Sequence, residues 1–276
     1  MNVSTNKQCL PLIIGHRGAS AQKPENTIPA FDLALELEAD GIEFDVRLAS
    51  DGVPVVIHDP DLKRTGRQTG LVRKSSSAEL EKIDAGTWFN LKHPTLADPE
   101  NANARIPRLT YVFERFRKSE ALLYVELKCA TEEIDAIAES VAELVDRFSL
   151  RERVIVESFE LASVRRIKQL DGGIKTAALF EPQFSFDLLS TQRIIALAVE
   201  AMADQIALHH SMVTGPRVRK ASDAGLETVV WTVDKPRWVR RARDIGVKTL
   251  ITNVPATLVE TRRMLDQTLS NSNISG

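Results

Sequence analysis

Length, composition and charge already exclude several classes of protein. The chain has 276 residues, 43% of them hydrophobic, with a formal net charge of −2 and an isoelectric point near 6.3. This size fits one large α/β domain or two small ones, and the small net charge gives no sign of nucleic-acid binding. Two cysteines, Cys9 and Cys129, exclude a disulfide framework and a cysteine-built zinc site. With no apolar run as long as a membrane span and no signal-peptide pattern, we expect a cytoplasmic protein without stable membrane insertion.

The first predicted unit runs from a strand through a loop and a helix to a second strand. Apolar residues 12–14 form the first strand. His16 and Arg17 follow it among small residues, which let both side chains reach a ligand. Asn26 or Thr27 is expected to cap the helix, and for Asn26 a cap is preferred over a contact with substrate. Asp40-Gly41 is expected to end the helix.

An acidic pair, Glu43 and Asp45, lies in the apolar second strand. Side chains two apart on a strand point the same way, roughly 7 Å apart, and burying both carboxylates unpaired would be costly. A hard divalent cation such as Mg²⁺ or Ca²⁺ removes that cost. A short turn then leads to another apolar run that ends at His58, so His58 is predicted to lie on a strand beside the pair.

Further candidates lie in the following stretches. The pattern from about residue 60 to residue 106 is irregular and predicts an insertion over one end of the fold, a candidate lid. Residues 84–89 and 94–104 of this stretch are predicted to be loop. The apolar strand at 122–128 carries Glu126 and Lys128 on one face. Trp231 lies near the end of a later apolar strand.

Strands and helices alternate along the chain, which predicts an α/β fold of the (β/α)₈ barrel type. The later elements include a helix near 161–170, a strand at Lys175–Phe180, a helix around 187–200 and a final helix through Leu258 and Leu265. Nine strand candidates compete for eight places, so one is expected to be peripheral. The polar candidates lie at strand ends, the barrel edge where active sites are found. A doubly wound sheet is the alternative, but no glycine-rich dinucleotide loop supports it. We expect a single domain over 1–276, with a disordered tail at 268–276.

A series of short motifs runs in order from residue 15 to about residue 255. They are His16-Arg17-Gly18, Pro24–Thr27, Ala39–Glu43 with Asp45, Asp51-Gly52, His58-Asp59, Leu62 with Arg64-Thr65, Glu126–Lys128, Ser158-Phe159 and Trp231–Val233. Together they resemble the glycerophosphodiester phosphodiesterase family. The resemblance implies a TIM barrel of the phospholipase-C-like phosphodiesterase type, with a small insertion after the third strand. Thr252-Asn253 departs from the pattern, since many members have Thr-Asp there.

The resemblance also implies roles for the polar candidates. Glu43, Asp45 and Glu126 would bind one divalent cation, either Mg²⁺ or Ca²⁺. His16 and His58 would be the catalytic acid and base, since imidazole titrates near neutral pH.

Other candidates would handle the phosphate and the rest of the substrate. Arg17 and Lys128 can add positive charge around a phosphate, and a guanidinium can grip two of its oxygens. Trp231, with Phe159 or Phe180, is either a pocket wall or core packing.

The function predicted in this way is metal-dependent hydrolysis of glycerophosphodiesters, such as glycerophosphocholine or glycerophosphoethanolamine, to glycerol 3-phosphate and an alcohol. By resemblance, a glycerol hydroxyl attacks first and water then opens the cyclic phosphate. A lysophospholipase D-like lipid phosphodiesterase, with an acyl groove at the insertion, is one alternative, and a non-catalytic barrel that binds a phosphate ligand is another. The sequence leaves open the alcohol group, the cation, the histidine that acts first as base and the oligomeric state.

Overall fold

The structure, a computed structural model, describes residues 10–182 and 190–274, with side chains as far as residue 271. Its strands are β1 (Leu12–His16), β2 (Gly41–Leu48), β3 (Pro54–Val56), β4 (Leu122–Leu127), β5 (Val154–Ser158), β6 (Lys175–Phe180), β7 (Gln205–His209), β8 (Glu227–Trp231) and β9 (Thr249–Thr252). All of them except β3 run parallel, and β1 closes the barrel by pairing with both β2 and β9. The predicted (β/α)₈ barrel is therefore confirmed.

β3 is the peripheral ninth strand. It pairs antiparallel with β2, with Val56 opposite Val46, so the connection is a hairpin. Beyond β3 the chain stays beside β2, where the Ile57 amide donates to the Asp45 carbonyl at 3.0 Å. His58 thus lies beside the acidic strand as predicted, although two residues past the end of β3.

Helices pack around the barrel in the described part of the chain. They are α1 (Ile28–Glu36), α2 (Ser77–Leu80), α3 (Thr87–Lys92), α4 (Leu109–Phe116), α5 (Ile134–Arg147), α6 (Leu161–Leu170), α7 (Thr191–Glu200), α8 (Gly215–Asp223), α9 (Arg237–Ile245) and α10 (Pro255–Ile274). None of these helices, over residues 10–182 and 190–274, is long and apolar enough to cross a membrane.

Alternation along the strands separates two apolar layers. On β2, Ile42, Phe44 and Val46 are fully buried in the layer between the barrel and its helices. Inside the barrel, side chains from alternate strand positions, such as Ile14 and Tyr124, form a second apolar cluster. Because successive strand residues face opposite sides, the acids between those β2 apolar residues face the barrel interior.

The insertion at about 60–106 has a small core of its own. Leu62, Val72, Leu80 and Ile106 pack there against residues of the β2–β3 hairpin. Part of the stretch predicted as loop forms α3, because the Asp84 carboxylate accepts hydrogen bonds from two backbone amides at the helix start.

Two predicted helix ends are wrong. The first helix was expected to end at Asp40-Gly41, but α1 ends at Glu36 because Glu38 adopts a left-handed backbone with φ 61°. Asp40 instead accepts from the Ile13 amide and pairs with Arg262 of α10.

The final helix also extends further than predicted. A disordered tail was expected from residue 268, but α10 continues to Ile274, since no glycine or proline interrupts it after Pro255. Residues 275–276 of that predicted tail, and the part of the predicted 187–200 helix before residue 190, lie outside the described residues.

Candidate active site

The carboxyl ends of the barrel strands surround a pocket of about 470 Å³. Along several strands an interior apolar residue is followed two positions later by a polar or aromatic one, as Ile14 is by His16 and Tyr124 is by Glu126. The pocket is lined by His16, Arg17, Glu43, His58, Glu126, Lys128, Glu157, Phe159, Leu179, Glu181, Trp231 and Ile251. The eight predicted site residues therefore meet at one rim, where Asp45 completes the set as a fully buried neighbour of Glu43 and Glu126.

Three carboxylates form a compact triad in the pocket floor. Asp45 and Glu126 are directly opposite each other in the β2–β4 pairing, and Glu43 lies two residues before Asp45. One oxygen from each of the three lies within 4.8 Å of the other two, and all three residues are buried. Oxygens that share one Mg²⁺ or Ca²⁺ ion lie up to roughly 5 Å apart, so the triad can hold a metal ion.

The pKa values of these acids show that holding three carboxylates together is electrostatically unfavourable. Burial and the Asp45 charge raise the pKa of Glu43 well above its usual range, and the same two causes raise the pKa of Glu126 to about 7. Burial also opposes ionisation of Asp45, but the Arg17 guanidinium and the Lys128 ammonium outweigh it, so the pKa of Asp45 is lower than usual. Without a cation, Asp45 is therefore the carboxylate of the triad that ionises most readily.

Three buried oxygens of the triad fit a hard cation. Oε1 of Glu43, Oδ1 of Asp45 and Oε1 of Glu126 are buried and accept no aligned hydrogen bond from the described residues. The Lys128 ammonium lies 2.5 Å from the Glu126 oxygen and 3.3 Å from the Asp45 oxygen, as an ion pair. An all-oxygen donor set of this kind suits Mg²⁺ or Ca²⁺.

Arg17 and Asn26 support the triad from the loop after β1. Both residues have a left-handed backbone, with φ 54° and φ 57°. The Arg17 amide donates to Glu43 at 2.9 Å, and its guanidinium lies 3.1 Å from Asp45 and 2.7 Å from Glu25.

The prediction that Asn26 caps α1 is wrong. Its amide nitrogen donates to the Asp45 carboxylate at 2.8 Å, and its oxygen accepts from the Asp45 backbone amide. Thr27 is the N-terminal flanking residue of α1, without a side-chain cap. Asn26 therefore orients a carboxylate of the triad rather than capping the helix.

The two histidines face different partners. Nδ1 of His16 lies 2.7 Å from the side-chain oxygen of Asn253, and the amide nitrogen of Asn253 donates to Asp234 at 2.9 Å. Nδ1 of His58 lies 2.7 Å from the carboxylate of Asp59. A neutral acceptor thus holds one ring and an anionic acceptor holds the other.

The ionisation of the two rings follows from these surroundings. Burial and the nearby Arg17 charge lower the pKa of His16 to about 4. Burial also lowers the pKa of His58, against the opposing effects of the Asp45 charge and of the hydrogen bond that the ring donates to Asp59. Without a bound cation, His16 is therefore neutral at physiological pH.

An aromatic wall closes another side of the pocket. The rings of Phe159 and Trp231 meet edge to face with centroids 5.5 Å apart, and the Lys128 ammonium lies 5.5 Å from the Phe159 ring centre. The alternative wall residue, Phe180, is instead buried in the outer core. Cys129 packs against the apolar layer between the barrel and its helices, and burial raises the pKa of its thiol to about 11.

Sequence reasoning left three pocket features without a defined role. Glu157 and Glu181 both line the pocket, and burial with the Glu126 charge raises the pKa of Glu157 well above its usual range. The sequence signal for Glu157 and Glu181 is the same alternation along the strands, because the interior residues Ile155 and Leu179 precede them by two positions. Asn253, whose departure from the family pattern put its role in doubt, contacts His16 directly.

These features define a class: a TIM-barrel protein whose rim combines a carboxylate triad that can hold a metal ion, two histidines and two cationic side chains. Comparison with known proteins identifies the family. The profile of the glycerophosphoryl diester phosphodiesterase family matches residues 16–257. The chain belongs to this family of phosphodiester hydrolases.

Individual relatives agree over nearly the full chain. A glycerophosphodiester phosphodiesterase of Caldanaerobacter subterraneus subsp. tengcongensis is 35% identical over 250 residues, covering 90% of this chain and 96% of the relative. One of Bacillus subtilis is 33% identical, covering 88% and 84%. The crystal structure of a glycerophosphodiester phosphodiesterase from Agrobacterium tumefaciens superposes with a TM-score of 0.74 at 29% identity, covering 90% of this chain and 99% of that one.

Proposed function

We propose that this protein hydrolyses glycerophosphodiesters, such as glycerophosphocholine or glycerophosphoethanolamine, to glycerol 3-phosphate and an alcohol with one divalent cation. The observation that carries the proposal is the meeting of a buried carboxylate triad, two histidines and two cationic side chains in one pocket. The names of the relatives in the comparison support the substrate class. A cytoplasmic location stays a prediction, which cell fractionation would check.

Charge neutralisation is the first requirement, because a phosphodiester anion repels nucleophiles. The cation would be held by Glu43, Asp45 and Glu126, and when bound it would neutralise the phosphate and polarise its oxygens. Arg17 and Lys128 line the same pocket and would donate to phosphate oxygens. The cation is Mg²⁺ or Ca²⁺, since hard oxygen ligands suit both.

Proton transfer is the second requirement, and the partners of the two histidines support a division of roles between them. Asp234 fixes the Asn253 amide so that its oxygen faces His16, which makes Nδ1 of His16 the donor and leaves a lone pair on Nε2. His16 would therefore accept the proton of the attacking glycerol hydroxyl. Burial lowers the pKa of His58 overall, but the Asp59 carboxylate opposes this effect, so we assign to His58 the donation of a proton to the leaving alcohol oxygen. The roles reverse when water opens the cyclic phosphate.

Release of glycerol 3-phosphate tests this function directly. Metal-stripped protein would be assayed on glycerophosphocholine and glycerophosphoethanolamine, with and without Mg²⁺ or Ca²⁺. We expect metal-dependent release, lowered about 10²–10⁴-fold in His16→Ala and abolished in Glu43→Gln. His93→Ala, in the insertion with its ring on Phe89, is the control and should keep full activity. Folded, metal-loaded protein that releases no product from any glycerophosphodiester would overturn the proposal.

A second cavity supports testing lysolipids as well. About 490 Å³ in volume, it lies between the insertion and the starts of α1 and α4, and its apolar lining includes Ile28, Pro29, Ile106 and Tyr111. A lysophospholipase D-like activity would need such a groove for an acyl chain. Faster hydrolysis of lysophosphatidylcholine than of glycerophosphocholine would establish that alternative. Phosphate binding without turnover of either substrate would indicate a binding barrel.

A further inference from the structure

Arg64, at the start of the insertion, contacts two carboxylates at once. Its Nη1 and Nη2 donate to the two oxygens of Glu25 at 2.7 and 2.8 Å. Its Nε and Nη2 donate to the two oxygens of Asp59 at 2.7 and 3.1 Å. A single guanidinium therefore bridges the loop after β1 and the segment after β3.

Each of these carboxylates in turn holds one group of the pocket. Glu25 accepts from the Arg17 guanidinium at 2.7 Å, and Asp59 lies 2.7 Å from Nδ1 of His58. Arg64 itself is absent from the described residues that line the pocket. The Arg64 bridge therefore connects Glu25, which holds the phosphate-binding Arg17, with Asp59, which holds the catalytic His58. Arg64 does this from outside the pocket.

The charges of the bridge agree with its geometry. Burial opposes ionisation of Asp59, but hydrogen bonds from Arg64 and His58 outweigh it and lower its pKa to about 2. The pKa of Glu25 is also lower than usual, because hydrogen bonds and charges from Arg64 and Arg17 outweigh its burial. Both carboxylates are therefore ionised at neutral pH, as a two-sided guanidinium bridge requires.

The insertion holds the guanidinium in place. The centre of the Trp88 ring in α3 lies 5.6 Å from the Arg64 guanidinium carbon. Trp88 is buried, and its indole N–H donates to the Ala85 carbonyl at 2.8 Å. Stacking on a fixed aromatic ring restricts the guanidinium, which links the folded insertion to the catalytic groups.

We propose that Arg64 is a positioning residue, whose guanidinium fixes Arg17 through Glu25 and His58 through Asp59. Lysine cannot replace it, because one ammonium cannot present the planar fork that serves both carboxylates. The kinetic part of this inference rests on the proposed function, while the bridge itself can be measured without turnover.

Steady-state kinetics test the positioning role. We expect Arg64→Ala to lower kcat and raise KM, with kcat/KM down about 10–100-fold, as is typical for residues that support a site from behind. Arg64→Lys should recover only part of the loss, and added guanidinium ion should partly rescue Arg64→Ala. Because all three groups act as one unit, the effect of Arg64→Ala should largely vanish when Glu25→Gln and Asp59→Asn are already present.

A matched control is available at the other end of the barrel. Arg151 also contacts two carboxylates, Asp171 at 2.7 Å and Asp146 at 3.5 Å, in a half-exposed position. Arg151→Ala should leave kcat and KM unchanged. Kinetics of Arg64→Ala within about twofold of the wild type, or an effect fully additive with the two carboxylate substitutions, would overturn the proposal.

Imidazole ¹⁵N chemical shifts separate a failure of this proposal from a failure of the proposed function. In the full-length protein, the His58 signals should move in Arg64→Ala and stay in place in Arg151→Ala, whether or not the protein turns over a substrate. Unchanged His58 signals in Arg64→Ala would count against the bridge. An inactive wild type would count against the proposed function alone.

Discussion

The amide of Asn253 favours the tautomer of His16 that carries the proton on Nδ1. Its nitrogen and its backbone amide both donate to Asp234, at 2.9 Å each. Its oxygen is therefore turned toward His16 and also accepts from the Ser20 hydroxyl at 2.9 Å. A residue that departs from the common family pattern thus contributes a neutral, oriented acceptor, while burial and the Arg17 charge keep the pKa of His16 low.

Asn253→Ala tests this arrangement at the level of one residue. The variant frees the ring to adopt the other tautomer, so we expect kcat to fall about 10–100-fold with little change in KM. The measurement is glycerol 3-phosphate release at saturating and limiting substrate. Asn103→Ala, which removes an exposed amide from the insertion, is the control. An unchanged kcat in Asn253→Ala would show that tautomer control does not limit the reaction.

Residue types alone predicted most of the site but not the contacts between its members. Strand alternation placed Glu43 with Asp45 and Glu126 with Lys128, because it depends only on local geometry. Asn26 was misassigned because its local role as a cap and its actual contact with Asp45 use the same side-chain groups. The second contact depends on long-range folding, which local spacing does not encode.

Strand β2 shows how one element serves both stability and chemistry. Its outward residues join the apolar layer, where the Phe44 ring lies 5.4 Å from the Phe31 ring. Its inward residues supply two of the three triad carboxylates. The apolar side must therefore offset the cost of burying the acidic side.

Phe44→Ala measures that contribution. Phe44 is fully buried, so the substitution should lower the free energy of unfolding by about 3–5 kcal/mol through lost burial and a cavity. Urea denaturation of the metal-free protein gives the value. Leu91→Ala, at a largely exposed position of α3, should change it by less than about 0.5 kcal/mol. Similar losses in both variants would contradict the two-layer account of β2.

Elements were predictable where their signals are local and strong. The bounds predicted for α6 and β6 match the structure, since an apolar pattern runs through each element and turn residues flank it. The end of α1 and the presence of α3 were not predictable, because each depends on a particular contact. Asp40 contacts Ile13 and Arg262, and Asp84 contacts backbone amides. Peripheral β3 was anticipated only as a surplus strand, since its pairing direction depends on the hairpin.

At the scale of the whole molecule, the closed barrel brings buried acids from separate strands together at one pocket. Glu43, Glu126 and Glu157 come from β2, β4 and β5, and all have raised pKa values because of burial and mutual repulsion. The folded, metal-free protein therefore binds protons that the unfolded chain releases. A group with a raised folded pKa stabilises the fold below its unfolded value, and this stabilisation is lost as pH rises through the folded pKa.

Cation binding should therefore stabilise the protein more at higher pH. For Glu126 the affected window runs from its ordinary pKa of 4.5 to about 7, and a cation must displace the protons that the triad holds at the acidic end. We expect the rise in Tm on adding saturating Mg²⁺ or Ca²⁺ to be larger at about pH 8 than at about pH 5.5. Thermal unfolding at both pH values measures this, with Glu126→Gln expected to reduce the rise and Glu114→Gln, on the exposed face of α4, to leave it unchanged. An equal Tm rise at the two pH values, or none at either, would show that the triad does not exchange protons for a cation.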